Sequence, residues 1–131
     1  MVVTPGYAGV PVAERCAQSP LPIATFPAHA APMAVAWYRA GTFAPEFRDG
    51  MFVALHGSIF HGPDEPRGYS VVFVEGRSSQ VRAFVQARGL TARPSGLAVT
   101  PDGRLLVADD YGQRIWAIRY SSRSAGGAPQ R

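Results

Sequence analysis

Few side chains in this sequence could do covalent or metal chemistry, and their spacing narrows the choice. There is one cysteine, Cys16. A thiol nucleophile needs a lowered pKa and a positioned base, and nothing near Cys16 in sequence supplies either. One cysteine also excludes an intrachain disulfide and every CxxC motif for zinc, redox work or haem. His56 and His61 share a loop and could begin a metal site, but no third ligand accompanies them. Asp109-Asp110 offers two carboxylates for acid–base work or for calcium. Followed by Gly112, the pair is read instead as a turn whose carboxylates bond local amides. The glycines are spread among turns and form no phosphate-cradling loop.

The elements that must position these groups are short strands. Apolar, β-branched or aromatic runs occupy 33–38 (MAVAWY), 51–56 (MFVALH), 69–75 (YSVVFVE) and 81–85 (VRAFV), then 96–100 (GLAVT), 104–108 (RLLVA) and 114–120 (RIWAIRY). Turn residues separate them. Asp49-Gly50 closes one connection, and Pro101-Asp102-Gly103 makes a turn in which Pro presets φ and Gly takes a positive φ. In 114–120, alternation puts Ile115, Ala117 and Arg119 on one face and Trp116, Ile118 and Tyr120 on the other. Residues 1–32, rich in Pro, Ala and Gly, read as loop.

The runs group as four and then three, and the two groups rhyme. Blades of β-propellers are four-stranded antiparallel sheets repeating at roughly 40–50 residues. The fold class expected is therefore all-β: antiparallel four-stranded β-propeller blades, about two of them, an incomplete propeller. The organisation expected is an irregular segment 1–25, a partial propeller 26–120 (blade 26–86, incomplete blade 93–120) and a flexible tail 121–131.

Composition bounds the function. Charged residues are 17% and hydrophobic residues 47%, which excludes a disordered chain. The net charge of +4 comes from arginines scattered singly from Arg15 to Arg131, with no lysine and no basic stripe, so no nucleic-acid partner is expected. No run approaches the roughly 18 apolar residues of a membrane span. The segment MVVTPGYAGV has no charged n-region before a long apolar run and does not read as a signal peptide.

The fragments FPAHAAPMAVAWY (26–38), FVALHGS (52–58), RGYSVVFV (67–74), RPSGLAVTPDGRLLVADD (93–110) and IWAIRY (115–120), in this order, resemble the C-terminal part of pyrroloquinoline quinone (PQQ)-dependent sugar dehydrogenases. These are the soluble glucose, aldose-sugar and sorbosone dehydrogenases, with six-bladed propellers. Tyr7-Ala8-Gly9-Val10-Pro11 resembles a degraded form of that family's Tyr-Gly-Trp-Pro turn. The resemblance implies PQQ bound with calcium on the propeller axis, a sugar substrate, hydride transfer to the quinone, and a periplasmic or extracellular location. It places Arg93 against a PQQ carboxylate, His56 or Gly57 where a Lys meets the quinone, and His29 on the cofactor face. The family's Trp-Asn-Arg after His-Gly-Ser is replaced by Ile59-Phe60-His61. The catalytic histidine, the Arg-Asn pair and the calcium loop belong to earlier blades, so no catalytic residue and no metal ligand is assigned to this chain.

The leading expectation is thus a fragment of a quinoprotein oxidoreductase that supplies cofactor-pocket residues and is inactive alone. A second reading is a non-catalytic propeller module for binding or assembly, with open edges that could pair with copies of itself. A lactonase-like propeller hydrolase ranks third, because the inner strands offer few carboxylate or Asn ligands.

Overall fold

The structure is a computed structural model and describes residues 11–58, 67–88 and 91–121. Seven strands run along the chain: β1 (Pro32–Tyr38), β2 (Gly50–Leu55), β3 (Ser70–Glu75), β4 (Val81–Gln86), β5 (Pro94–Val99), β6 (Leu105–Asp109) and β7 (Arg114–Ile118). They form two antiparallel sheets of successive neighbours, β1-β2-β3-β4 and β5-β6-β7. The grouping expected from the rhyme is present, and each strand lies within two residues of its expected span. Among the described residues the two sheets form an open pair, and no ring of blades is closed.

One expectation for 1–32 is corrected. Val12–Gln18 is a helix, α1, following Pro11, whose fixed φ suits a helix start. Ala, Glu, Arg and Gln in VAERCAQ are good helix formers, but seven residues with no apolar stripe give no periodic signal.

The sheets stack face to face. Alternation turns Ala36, Tyr38, Phe52, Val71 and Phe73 of the first sheet toward Leu97, Val99, Leu105, Val107 and Ile118 of the second. Phe43, Phe47 and Phe84 complete this core. Phe84 packs against Phe52 at 4.5 Å, Phe47 at 5.0 Å and Phe43 at 5.2 Å between ring centroids, in tilted to edge-on geometry. The other face of the first sheet carries Val53, Leu55, Val72 and Val74, covered in part by Ala24 and Phe26. Met33, Val35 and Trp37 on the same face stay exposed.

A buried hydroxyl ties the two sheets at one end. Tyr38 donates to the Gly103 carbonyl at 3.0 Å and accepts from the amides of Thr42 and Phe43, both at 3.2 Å. Thr42 Oγ1 lies 2.6 Å from the Tyr38 hydroxyl and donates to the same carbonyl at 2.9 Å. The Pro101-Asp102-Gly103 turn is thereby locked under the β1–β2 connection. Within that turn, the Thr100 hydroxyl and then Arg104 hold the Asp102 carboxyl below the usual carboxylate range.

Candidate functional site

Three segments converge at the opposite end of the first sheet: 29–31 before β1, 56–58 after β2 and 67–69 before β3. The amides of His56 and Gly57 donate to Ala31 and Ala30 carbonyls, each at 2.9 Å, which extends the β1–β2 ladder past the strands. The backbones then approach too closely for side chains. A Cβ on Gly57 would meet the Tyr69 ring at 2.6 Å and the Arg67 carbonyl at 2.7 Å, and one on Gly68 would meet Gly57 at 2.5 Å. Both glycines have positive φ, and so do the non-glycine residues His29, Ala31 and Tyr69. Strained backbone of this kind persists only where surrounding contacts hold it, and it clusters at working sites. It also explains why β3 begins at Ser70 and not at Tyr69.

Arg93, just before β5, reaches across from the second sheet. Its Nη2 donates to the Gly57 carbonyl and to His56 Nδ1, both at 2.9 Å, and Nε lies 3.5 Å from the His56 carbonyl. The guanidinium sits over the Tyr69 ring, 5.8 Å from its centroid. A guanidinium can only donate, so His56 Nδ1 is the acceptor and the ring proton sits on Nε2. Nε2 faces the exposed Asp110 carboxylate at 3.3 Å. Among the described residues, the Arg93 guanidinium pairs with no carboxylate, and its Nη1 makes no hydrogen bond. The corner is therefore a half-buried positive charge, aimed by neutral acceptors, with one nitrogen to spare.

Asp109, the last residue of β6, fixes the start of β5. Its side chain is buried. Oδ1 accepts the amides of Arg93 and Gly112, each at 2.9 Å, and Oδ2 accepts the Trp116 indole N–H at 3.2 Å with Arg114 at 3.8 Å. Burial pushes this carboxyl up. The two amides, the indole and the Arg114 guanidinium outweigh burial and hold it below the usual carboxylate range. The turn reading of Asp109 matches this arrangement. Asp110 differs: its carboxylate sits on His56, in the other sheet.

Of the expected site residues, the structure brings Arg93, His56 and Gly57 together. His29 is exposed and stands one residue before the Ala30 carbonyl that takes the Gly57 amide; Arg93 does not bond it. His61 and Tyr7 to Val10 lie outside the described residues. Cys16 is exposed on α1. Tyr69 carries no role in the sequence reading of the site, with the Gly68-Tyr69 pair in RGYSVVFV as its available signal; Asp110, read there as a turn carboxylate bonding local amides, sits on His56 instead. No group of three or more His, Cys, Asp or Glu side chains among the described residues could hold a metal ion.

Two stacked antiparallel sheets with a cationic corner at their strand ends define a class of architecture, and sequence comparison supplies the family. The chain belongs to the TrAA12-like family, whose sequence model matches residues 8–121. It is also 28% identical over 104 residues to an uncharacterized protein of Borreliella burgdorferi, a match covering 72% of this chain and 27% of that protein. The chain thus spans about a quarter of the length of this curated relative. No solved structure matches it significantly.

These findings correct the family expectation. The match is to the TrAA12-like family and not to a PQQ-dependent sugar dehydrogenase family. The reading as a fragment of a quinoprotein that oxidises sugars at PQQ falls with it, because neither similarity carries that activity. The physical reason lies in the fragments that bore the resemblance. A Pro-Asp-Gly turn between Ala/Val strands, ending in paired Asp, is what any such antiparallel meander needs, so these fragments report architecture more than chemistry. None of the helices described is long and apolar enough to cross a membrane.

Proposed function

We propose that the chain is a two-blade section of a β-propeller that holds a carboxylate-bearing small molecule at the Arg93 corner. The blade reading is supported by the four-plus-three grouping, the short antiparallel meanders and the face-to-face stacking of β1 and β2 on β5. Propeller sheets stack on both faces, and here the exposed outer faces of both sheets are apolar. Met33, Val35 and Trp37 stand on one, and Ala98, Ile115 and Ala117 on the other.

The observation that carries the binding role is the Arg93 guanidinium, oriented by His56 and Gly57, stacked on Tyr69 and left without a carboxylate partner among the described residues. Arginine donates well to planar carboxylates, and partial burial strengthens the contact. Asp110 lies nearby but is turned to His56 Nε2. Arg93 also ties the second sheet to the first, so its substitution must be read in two ways.

Calorimetric titration with citrate at low ionic strength tests the proposal. Arg93→Met keeps the bulk of the side chain and removes its charge. It is expected to weaken citrate binding by about tenfold or more, a loss of about 1.4 kcal/mol, while circular dichroism confirms that the variant is folded. Unchanged citrate binding in folded Arg93→Met overturns the proposal. PQQ, with three carboxylates, enters the same titration as a carboxylate ligand and not as an oxidant.

A further inference from the structure

Histidine is the side chain whose charge ordinarily changes between about pH 5 and 8. The Arg93 corner holds one, His56, with both ring nitrogens engaged. Nδ1 accepts from Arg93 Nη2 at 2.9 Å, and Nε2 faces the Asp110 carboxylate at 3.3 Å. The His56 side chain is 15% exposed, against 65% for Asp110, so a change of charge on the ring falls mainly on protein neighbours.

The charged and titratable groups on the described segments packed around His56 are few. Arg93 and Asp110 come from the second sheet, Arg67 and Tyr69 from 67–69, and His29 from 29–31. Asp109 engages its carboxylate with the Arg93 and Gly112 amides and the Trp116 indole. Those donors hold it below the usual carboxylate range, so it stays ionised wherever histidine titrates.

Protonation of His56 puts a hydrogen on Nδ1, against the Nη2 donor 2.9 Å away. Donor then meets donor, and cation meets cation. Each group keeps a second partner: Nε2–H stays on Asp110, which favours the imidazolium, and Arg93 still donates to the Gly57 carbonyl at 2.9 Å. The direct bond is lost, and two N–H donors now converge on one place. An anionic oxygen seated between them accepts from both. With the ring neutral, Nδ1 is itself an acceptor and repels such an oxygen.

We propose that the corner is a proton-coupled carboxylate site. Protonated His56 becomes a second donor beside Arg93, so the ligand binds more tightly as pH falls and takes up a proton as it binds. The inference rests on the reading of the Arg93 corner as a carboxylate site and adds how that site is regulated. The coupling is reciprocal: the bound carboxylate favours the protonated ring as much as the protonated ring favours the carboxylate.

Tartrate is the probe, because its carboxylates remain ionised where histidine titrates. In calorimetric titration of the full chain at low ionic strength, its affinity is expected to rise about tenfold or more from about pH 8 to about pH 5.5. Midway along that rise, the binding heat should vary with the ionisation enthalpy of the buffer, which reports proton uptake. His56→Gln offers Arg93 an oxygen acceptor but does not titrate, and should abolish both the rise and the uptake. Asp110→Asn removes the carboxylate facing Nε2 and should move the rise to lower pH. In the ligand-free chain, ring nitrogen shifts should place the His56 proton on Nε2 at about pH 8. Tartrate affinity that stays level or falls toward acid, while Arg93→Met still weakens it, overturns the proton coupling and leaves the carboxylate site standing. An unchanged acid rise in His56→Gln, or a ring proton on Nδ1 at about pH 8, does the same. Binding that ignores Arg93→Met, or none at either pH, sinks the carboxylate site and this proposal with it.

Discussion

Asp109 is the side chain on which the second sheet depends most at the scale of single residues. Asp109→Asn keeps the shape, but its amide nitrogen would face the Trp116 and Arg114 donors, so donor meets donor. The expected loss is about 1–3 kcal/mol, read from urea unfolding at pH 7. The pH dependence has a definite sign. A carboxyl held low in the fold contributes its full stability above its unfolded pKa of about 4, and loses it as pH falls through the folded value. The gap between wild type and Asp109→Asn should therefore be constant from neutral pH to about pH 5 and close below about pH 4. Tyr38 gives a second test. Tyr38→Phe strands the buried amide of Phe43 and the part-buried amide of Thr42 while Gly103 keeps the Thr42 hydroxyl, so a loss of about 1–2 kcal/mol is expected in the same assay. Neither network was legible in the sequence. Tyr38 and Gly103 are far apart in the chain, and no spacing rule joins them. Asp109 was read correctly as a turn carboxylate, but its bond to the Trp116 indole needs the β6–β7 register.

Elements were the most legible part of the molecule. Val, Ile and aromatic runs bounded by Asp-Gly and Pro-Asp-Gly marked all seven strands, because strand residues and turn residues differ sharply in backbone preference. α1 was not legible, since VAERCAQ carries helix propensity but no stripe to bury. The strand ends near the site were misjudged by a residue for a reason that matters there: Tyr69 takes a positive φ, which no local pattern announces. The packing of 29–31, 56–58 and 67–69 predicts that Gly57→Ala is costly. Its positive φ and the 2.6 Å approach to Tyr69 should lower stability by about 1–3 kcal/mol and displace the Tyr69 ring from Arg93. Thermal unfolding measures the first effect, and Arg93 side-chain shifts measure the second. By contrast, Gly41→Ala has open space around the new Cβ, so only its positive φ opposes it, and the loss should be smaller.

At the scale of the whole molecule, the four-plus-three grouping is legible in the sequence rhyme, whereas the stacking of one sheet on the other appears only in the structure. What stayed hidden was the meeting of His56 with Arg93, because the two lie in different sheets. Only the resemblance put both residues on one list, and that resemblance named a different family from the one that matches. The exposed apolar faces make a prediction of their own. Sedimentation velocity should show association rising with concentration, and Val35→Glu with Trp37→Glu should suppress it while leaving the melting temperature nearly unchanged. A melting temperature that falls sharply would show that this face is already covered. The binding claim is tested most directly by following backbone amide and Arg93 side-chain resonances during a citrate titration. The account predicts saturating shifts confined to Arg93, His56, Gly57, Tyr69 and residues 29–31. Shifts spread evenly over exposed arginines such as Arg39, Arg48 and Arg77, with Arg93 silent, would contradict it.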